Sequence, residues 1–348
     1  EVDVIEEILR IYGYNQIDIP HKLNTSLPMT ETIDKEKYTE AVSTMLAGKG
    51  FYEIMSNSLT KADYYKESQT FPLENLVYLH NPLSQDLNSM RQTLLFGGLE
   101  AIVHNINRQR PNLKLFEIGN CYSLNPKKDA AQDALDPYEE QRHLTLFITG
   151  SFNRENWIMD DQPVTFYHMK GYVEAILQKL GFDIRRFKKE ETESDAFTQI
   201  LRYKIKKQTI AEVGMVHPGL LKRFGIENPV FFGDLQWDKL IQYAEKNQVE
   251  YKEISKYPEV RRDLALLVDQ QVRFDQVESL AFQAERKVLK EVSLFDVYQG
   301  EKLGKNKKSY AVSFTLQDEK QTLKDKQIDK IMDKLINTFK EKLGAEIR

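Results

Sequence analysis

From Tyr257 onward the hydrophobic pattern switches between two periods in an order that few folds can satisfy. Asp263 to Val268 reads as a strand. Phe274 to Val288 reads as a helix with Val277, Leu280, Ala281, Ala284 and Val288 inward. Val292 to Tyr298 and Ser309 to Leu316 alternate, on either side of a turn, Gly300 to Lys308, that holds two glycines. Leu323 to Leu343 carries a helical stripe of Ile328, Ile331, Met332, Leu335, Ile336, Phe339 and Leu343. Gly344 can end that helix, and Ala345 to Arg348 can add a last strand. The order strand-helix-strand-strand-helix-strand is the ferredoxin-like split βαββαβ unit, in which both helices cover one sheet face and leave the other open.

The open face follows from strand parity. Tyr310, Val312, Phe314 and Leu316 belong with the helices, so Ser309, Ala311, Ser313 and Thr315 face outward. On the preceding strand, parity assigns Phe295 and Val297 to the helices and Leu294, Asp296 and Tyr298 to the open face. A small polar floor with one exposed ring and one carboxylate suits unpaired nucleotides. Aromatic rings stack on bases for roughly 1–3 kcal/mol each, and a carboxylate accepts from base edges. Lys302, Lys305, Lys307 and Lys308 in the adjoining turn are placed for phosphates. A plainer reading also stands here: a half-buried tyrosine closing a strand beside a solvated lysine loop. The aromatic-rich signature of the commonest single-strand RNA-binding domain is absent.

Charge divides the chain at the same place. Of 348 residues, those from Lys256 on hold 19 Lys/Arg against 16 Asp/Glu, and the remainder 30 against 37. So mild an excess does not by itself establish nucleic-acid binding. Before Tyr257, strands and helices mix without regular alternation. Leu113 to Cys121, Leu144 to Thr149 and Val230 to Leu235 read as strands, as does Phe51 to Leu59. Tyr203 to Lys207 and Thr209 to Met215 read as a hairpin. Helices are expected at Val2 to Tyr12, Asp34 to Gly48, Leu94 to Asn107 and around Met169, Val173, Ile176, Leu177 and Leu180. Asn125 to Pro137 is polar and reads as a loop. The class is therefore α+β with an antiparallel sheet rather than a doubly wound fold. No apolar run approaches the ~20 residues of a membrane-spanning helix. The single cysteine, Cys121, excludes an internal disulfide and fits a reducing cytoplasm. The acidic opening Glu1-Val2-Asp3-Val4 is unlike a signal peptide. A start without Met, directly inside a helical pattern, predicts a piece of a longer protein.

Asp3, Glu6 and Glu7, spaced i, i+3 and i+4, bring three carboxylates to one patch of the first helix. Such a patch suits Mg²⁺, which keeps several waters, or equally a solvated acidic turn favoured by the helix dipole. No phosphate-cradling loop, HExxH or GxSxG occurs. The six histidines are scattered. His217-Pro218 reads as a strand-end turn, His168 as part of a helix cap, and Cys121 as an inert core thiol.

Several segments in order resemble the C-terminal half of the β subunit of bacterial phenylalanyl-tRNA synthetase. They are Asp3-Val4-Ile5-Glu6-Glu7-Ile8 running to Arg10-Ile11-Tyr12-Gly13-Tyr14-Asn15, Met90-Arg91-Gln92-Thr93-Leu94-Leu95 with Gly97-Gly98-Leu99, and Leu115-Phe116-Glu117-Ile118-Gly119. Val216-His217-Pro218, Tyr257-Pro258 with Arg261-Arg262-Asp263-Leu264-Ala265, and Phe295-Asp296-Val297-Tyr298-Gln299-Gly300 follow. The resemblance implies three parts: residues 1–20 ending a helical, DNA-binding-like domain, residues 21–250 a class II synthetase-like non-catalytic domain, and residues 256–348 a ferredoxin-fold anticodon-binding domain. It implies Mg²⁺ at Asp3, Glu6 and Glu7, shared with the α subunit, with a further aspartate expected six positions before Asp3. It also implies anticodon contacts by Asp296, Tyr298 and Ser309.

Adenylate chemistry in a class II fold needs an arginine on the ATP α-phosphate. Leu113 to Tyr122 supplies Lys114 and Glu117 but no arginine, and Arg108 and Arg110 read as surface charges. The expectation is a non-catalytic part of phenylalanine–tRNA ligase. It would pack with α subunits in an α2β2 assembly and bind tRNA(Phe), with ATP and phenylalanine bound in the α subunit. The rivals are an active class II ligase and an amino-acid-binding regulatory module, since ferredoxin-like folds also bind amino acids.

Overall fold

A computed structural model describes residues 1–19, 22, 34–126, 134–153, 155–247, 251, 253–300, 303 and 306–347. The chain divides into two compact units, one within 1–249 and one within 250–348.

The first unit is built on a seven-stranded sheet. Its strands are β1 (Tyr52–Glu53), β2 (Leu113–Leu124), β3 (Tyr138–Thr149), β4 (Lys188–Thr192), β5 (Phe197–Ile205), β6 (Gln208–Val216) and β7 (Val230–Gln236). They lie in the order β1-β2-β3-β7-β6-β5-β4, and only the β1–β2 pair is parallel. Helices cover both faces, which is why Leu144 to Thr149 is a continuous buried run. On one face Leu144, Leu146 and Ile148 pack with α2 (Lys35–Gly48), α4 (Phe166–Lys179) and α6 (Trp237–Ala244). On the other, Phe147 and Phe232 pack with α3 (Leu95–Ile106) and α5 (Pro218–Arg223). The stripe Met169, Val173, Ile176 and Leu177 of α4 is fully buried, each side chain contributing roughly 1.5–3 kcal/mol.

Two glycines set how closely the helices approach. A Cβ on Gly98 of α3 would lie 2.0 Å from Cζ of Phe147, and one on Gly233 of β7 would lie 2.9 Å from Cγ2 of Val173. His168 acts in a cap, as read from the sequence, and His217, read as a strand-end turn, also caps a helix. His168 Nδ1 accepts from Thr165 N (3.0 Å) at the start of α4, and His217 Nδ1 accepts from Gly219 N (3.1 Å) at the start of α5.

Where the α3 side of the sheet is polar, a row crosses it in register: Glu117, Thr145, Asp234, Glu212, Arg202, Glu190. Asp234 holds His143 Nδ1 at 2.8 Å, and Arg202 holds Glu212 at 2.8 Å. Burial works against a charged His143, but the charge and hydrogen bond of Asp234 more than offset it, so its pKa is raised.

Three elements differ from expectation. Phe51 to Leu59 pairs with the sheet only at Tyr52–Glu53, because the chain turns off at Ser56, whose N and Oγ donate to Glu117 (3.2 and 2.6 Å). Edge strand β4, Lys-Lys-Glu-Glu-Thr, lacks the alternation that reveals a strand. Helix α6 follows β7 with no intervening turn residue. Helix α1 (Val2–Tyr12) forms as read and is ended by Gly13 at φ 96°.

The second unit has β8 (Val260–Asp269), α7 (Phe274–Ala284), β9 (Leu289–Tyr298), β10 (Lys307–Leu316), α8 (Asp325–Leu343) and β11 (Glu346–Ile347). The sheet order is β9-β10-β8-β11, antiparallel throughout. This is the ferredoxin-like arrangement. Leu266, Val312 and Phe314 meet Val277, Ala281, Leu335 and Phe339 in one core. Helix α7 stops at Ala284, short of the expected Val288, because the Glu285 carboxylate accepts from Lys287 N and Val288 N and turns the chain into β9.

The Gly98→Ala variant should lose roughly 1–3 kcal/mol through overpacking against Phe147, despite the better helix propensity of Ala. Chemical denaturation measures this. A raised His143 pKa gives stability that is complete below the ordinary histidine value and is lost as pH rises through the folded one. The stability advantage of wild type over His143→Gln should therefore shrink as pH rises above the ordinary histidine value. A constant difference in melting temperature would contradict the pairing.

Candidate nucleic-acid interface

Both helices of the second unit pack on the side of Val312 and Phe314, so the other sheet face holds whatever is opposite in register. Ser309, Ala311, Ser313 and Thr315 of β10 lie on that face, as parity predicts. Leu267, Ala265, Asp263 and Arg261 of β8 stand opposite them, respectively. On β9, Glu291 pairs with Thr315 and Ser293 with Ser313, while Leu294 pairs with Val312 on the helix side. A β-bulge then intervenes between Leu294 and Asp296. Beyond it Asp296 opposes Ala311 and Tyr298 opposes Ser309, both on the open face.

The bulge corrects two assignments. Leu294 faces the helices and joins their core, not the open face. Phe295 is the extra residue, and instead of packing under the helices it is 54% exposed, with the Arg261 guanidinium 5.4 Å from its ring centroid. A bulge inserts one residue and reverses parity beyond it, which simple alternation does not reveal.

Tyr298 is 46% exposed. Its ring lies against Gly300, where a Cβ would come within 2.6 Å of Oη and oblige the ring to shift. Asp296 is exposed, and neither it nor the Tyr298 hydroxyl has a hydrogen-bond partner among the described residues. Ser309 is on the open face but only 8% exposed, since β10 is an interior strand and the short side chain sits between Tyr298 and Leu267. It forms a floor rather than a projecting contact.

The lysines separate. Lys308 departs from the expected loop position: it lies in β10 on the helix side, 9% exposed, with Nζ 4.9 Å from the Tyr310 ring centroid. Lys307 begins the same strand and its Nζ donates to Glu346 at 2.6 Å. Lys302 and Lys305 fall outside the described residues.

Asp3, Glu6 and Glu7 lie on α1, which buries no side chain. Glu7 pairs with Arg10 at 2.9 Å. No group of three or more His, Cys, Asp or Glu among the described residues is arranged to hold a metal ion.

The basic residues considered for adenylate chemistry are engaged elsewhere or face water. Lys114 sits over the rings of Phe152 (4.7 Å) and Tyr172 (5.6 Å). Arg108 is exposed and donates to the His104 carbonyl (2.9 Å), and Arg110 is exposed. Burial pushes the Cys121 thiol well above its ordinary pKa, as expected of an inert core thiol. Beside the sheet lies a buried arginine to which sequence reasoning gave no role. Arg91 pairs with Glu117 at 2.8 Å, the two side chains being 7% and 2% exposed. A lone arginine just after the two-residue strand Ser89–Met90 carries no periodic signal.

No helix among the described residues is long and apolar enough to cross a membrane. Residues 19–237 match the family model of the phenylalanyl-tRNA synthetase β chain CLM domain, and residues 255–348 match that of the ferredoxin-fold anticodon-binding domain. The whole chain is 48% identical to the phenylalanine–tRNA ligase β subunit of Bacteroides fragilis and 43% identical to that of Porphyromonas gingivalis. A 33% identity to the same subunit of Fusobacterium nucleatum covers 99% of the chain. The chain spans 42–43% of the length of these curated relatives. It belongs to the phenylalanyl-tRNA synthetase β-chain family.

Proposed function

We propose that the chain is a non-catalytic C-terminal part of a phenylalanine–tRNA ligase β subunit, and that its second unit binds tRNA(Phe) at the anticodon. One observation supports this reading: among the described residues, Asp296 and Tyr298 stand exposed and without a hydrogen-bond partner, sharing parity on a sheet face that no helix of their unit covers. Unpaired bases need this combination, a ring to stack on and an acceptor for a base edge. The whole enzyme would join phenylalanine to tRNA using ATP, with both small substrates bound in the α subunit. The first unit would support that subunit in an α2β2 assembly in the cytoplasm. Its charged row, in which Glu117, Asp234, Glu212 and Glu190 each hold a cationic or histidine partner, with no arginine on the strand of Lys114 and Glu117, favours a supporting role. Residues 1–20 would close a helical domain. Mg²⁺ enters only as a proposal in which Asp3, Glu6 and Glu7 supply part of a shell completed by other residues and the α subunit, and no step is routed through it.

Replacing Tyr298 by Ala should weaken binding of an anticodon stem-loop by roughly tenfold, the cost of one base stack. The thermal transition should stay nearly unchanged, because about half of the ring is already in water. Affinity should fall with salt in both proteins, as phosphate contacts require. Equal RNA affinity in the variant would remove the stacking role. In the intact heteromer, Asp3→Asn should lower apparent Mg²⁺ affinity, and an unchanged Mg²⁺ titration would remove the metal assignment.

A further inference from the structure

The first unit carries a cleft of about 880 Å³ beside the stretch of β2 that β1 leaves uncovered. At its floor lies the Arg91–Glu117 pair. Glu117 is saturated, accepting from Arg91 Nη1 (2.8 Å), Ser56 N (3.2 Å) and Ser56 Oγ (2.6 Å). Arg91 Nε donates to the Asn120 carbonyl (2.8 Å), and Nη1 also donates to Ser56 O (3.1 Å) and Oγ (3.0 Å). The second terminal nitrogen, Nη2, has no acceptor among the described residues, although the residue is only 6% exposed. A buried guanidinium left with two unused N–H groups is costly unless something accepts from them.

Gly119 keeps that nitrogen open. A Cβ at position 119 would fall 2.4 Å from Nη2, so any side chain there would cover it or push it aside. Around the rim each carboxylate already holds a donor, while two donors keep unused hydrogens. Glu140 accepts from Asn120 Nδ2 (2.6 Å), and Asp238 from Lys35 Nζ (2.8 Å) and Arg142 N (3.1 Å). The Arg142 guanidinium reaches only exposed Glu36, at 3.5 Å, and the Tyr122 hydroxyl has no partner among the described residues. The unspent donors, with the buried Arg91 Nη2 foremost, suit a ligand made of acceptors.

We propose that this cleft binds a small oxyanion, the carboxylate or phosphate of a metabolite, anchored by Arg91 Nη2 through the gap left by Gly119 and met by Arg142 at the rim. A charge-assisted hydrogen bond to a desolvated guanidinium is the strong kind, and Arg is suited to either group. The site needs no catalysis and does not rest on the RNA-binding reading.

The test is calorimetric titration of the 348-residue chain with inorganic phosphate and, separately, with acetate. One of the two should bind saturably, and the one that does identifies the source as phosphorylated or carboxylic. Gly119→Ala should weaken that binding roughly tenfold, the loss of one charge-assisted hydrogen bond. Arg142→Gln, at the exposed rim and safe for folding, should weaken it severalfold. Should neither probe saturate at concentrations on the order of 10 mM, or should Arg142→Gln bind as wild type does, the proposal is overturned.

Discussion

The one-sided packing of two helices on a four-stranded antiparallel sheet governs everything functional in the second unit. Val277 and Ala281 of α7 and Ile328, Leu335 and Phe339 of α8 close over Leu266, Val312 and Phe314. Burial of that layer fixes register, because a slip of one residue would turn the apolar set outward. Once register is fixed, Ser309, Ala311 and Ser313 must line the opposite face, where they form a low floor. The taller groups beside them, Tyr298 and Asp296, are then presented rather than buried.

The bulge on β9 adds a second feature. By spending one residue between Leu294 and Asp296 it sends Leu294 to the core and brings Phe295 outward against Arg261. Without it, Asp296 and Tyr298 would share parity with the core residue Leu294. The open face thus depends on a local irregularity as much as on the fold.

How much of this was legible depended on periodicity. The βαββαβ order, the helical stripes of α4 and α8, and the parity of β10 are all regular repeats, and they were readable. The bulge carries no composition signal, so parity on β9 failed at Leu294 and Phe295 while holding by coincidence at Asp296 and Tyr298. Lys308 looked like a turn residue because flanking lysines and Gly304 suggested a loop, yet the strand begins at Lys307. In the first unit, the Arg91–Glu117 pair joins residues 26 positions apart through tertiary packing alone. No local pattern announces such a contact, and the resemblance to a known family quoted both segments without linking them.

The central claim is that nucleotides meet the uncovered sheet face. It is tested most directly by cross-linking an anticodon stem-loop carrying photoreactive bases to the chain and mapping the adducts by mass spectrometry. Adducts concentrated on residues 295–298, with α7 and α8 unmarked, are the expected result. Adducts on the outer surfaces of those helices, with 295–298 unmarked, would contradict it.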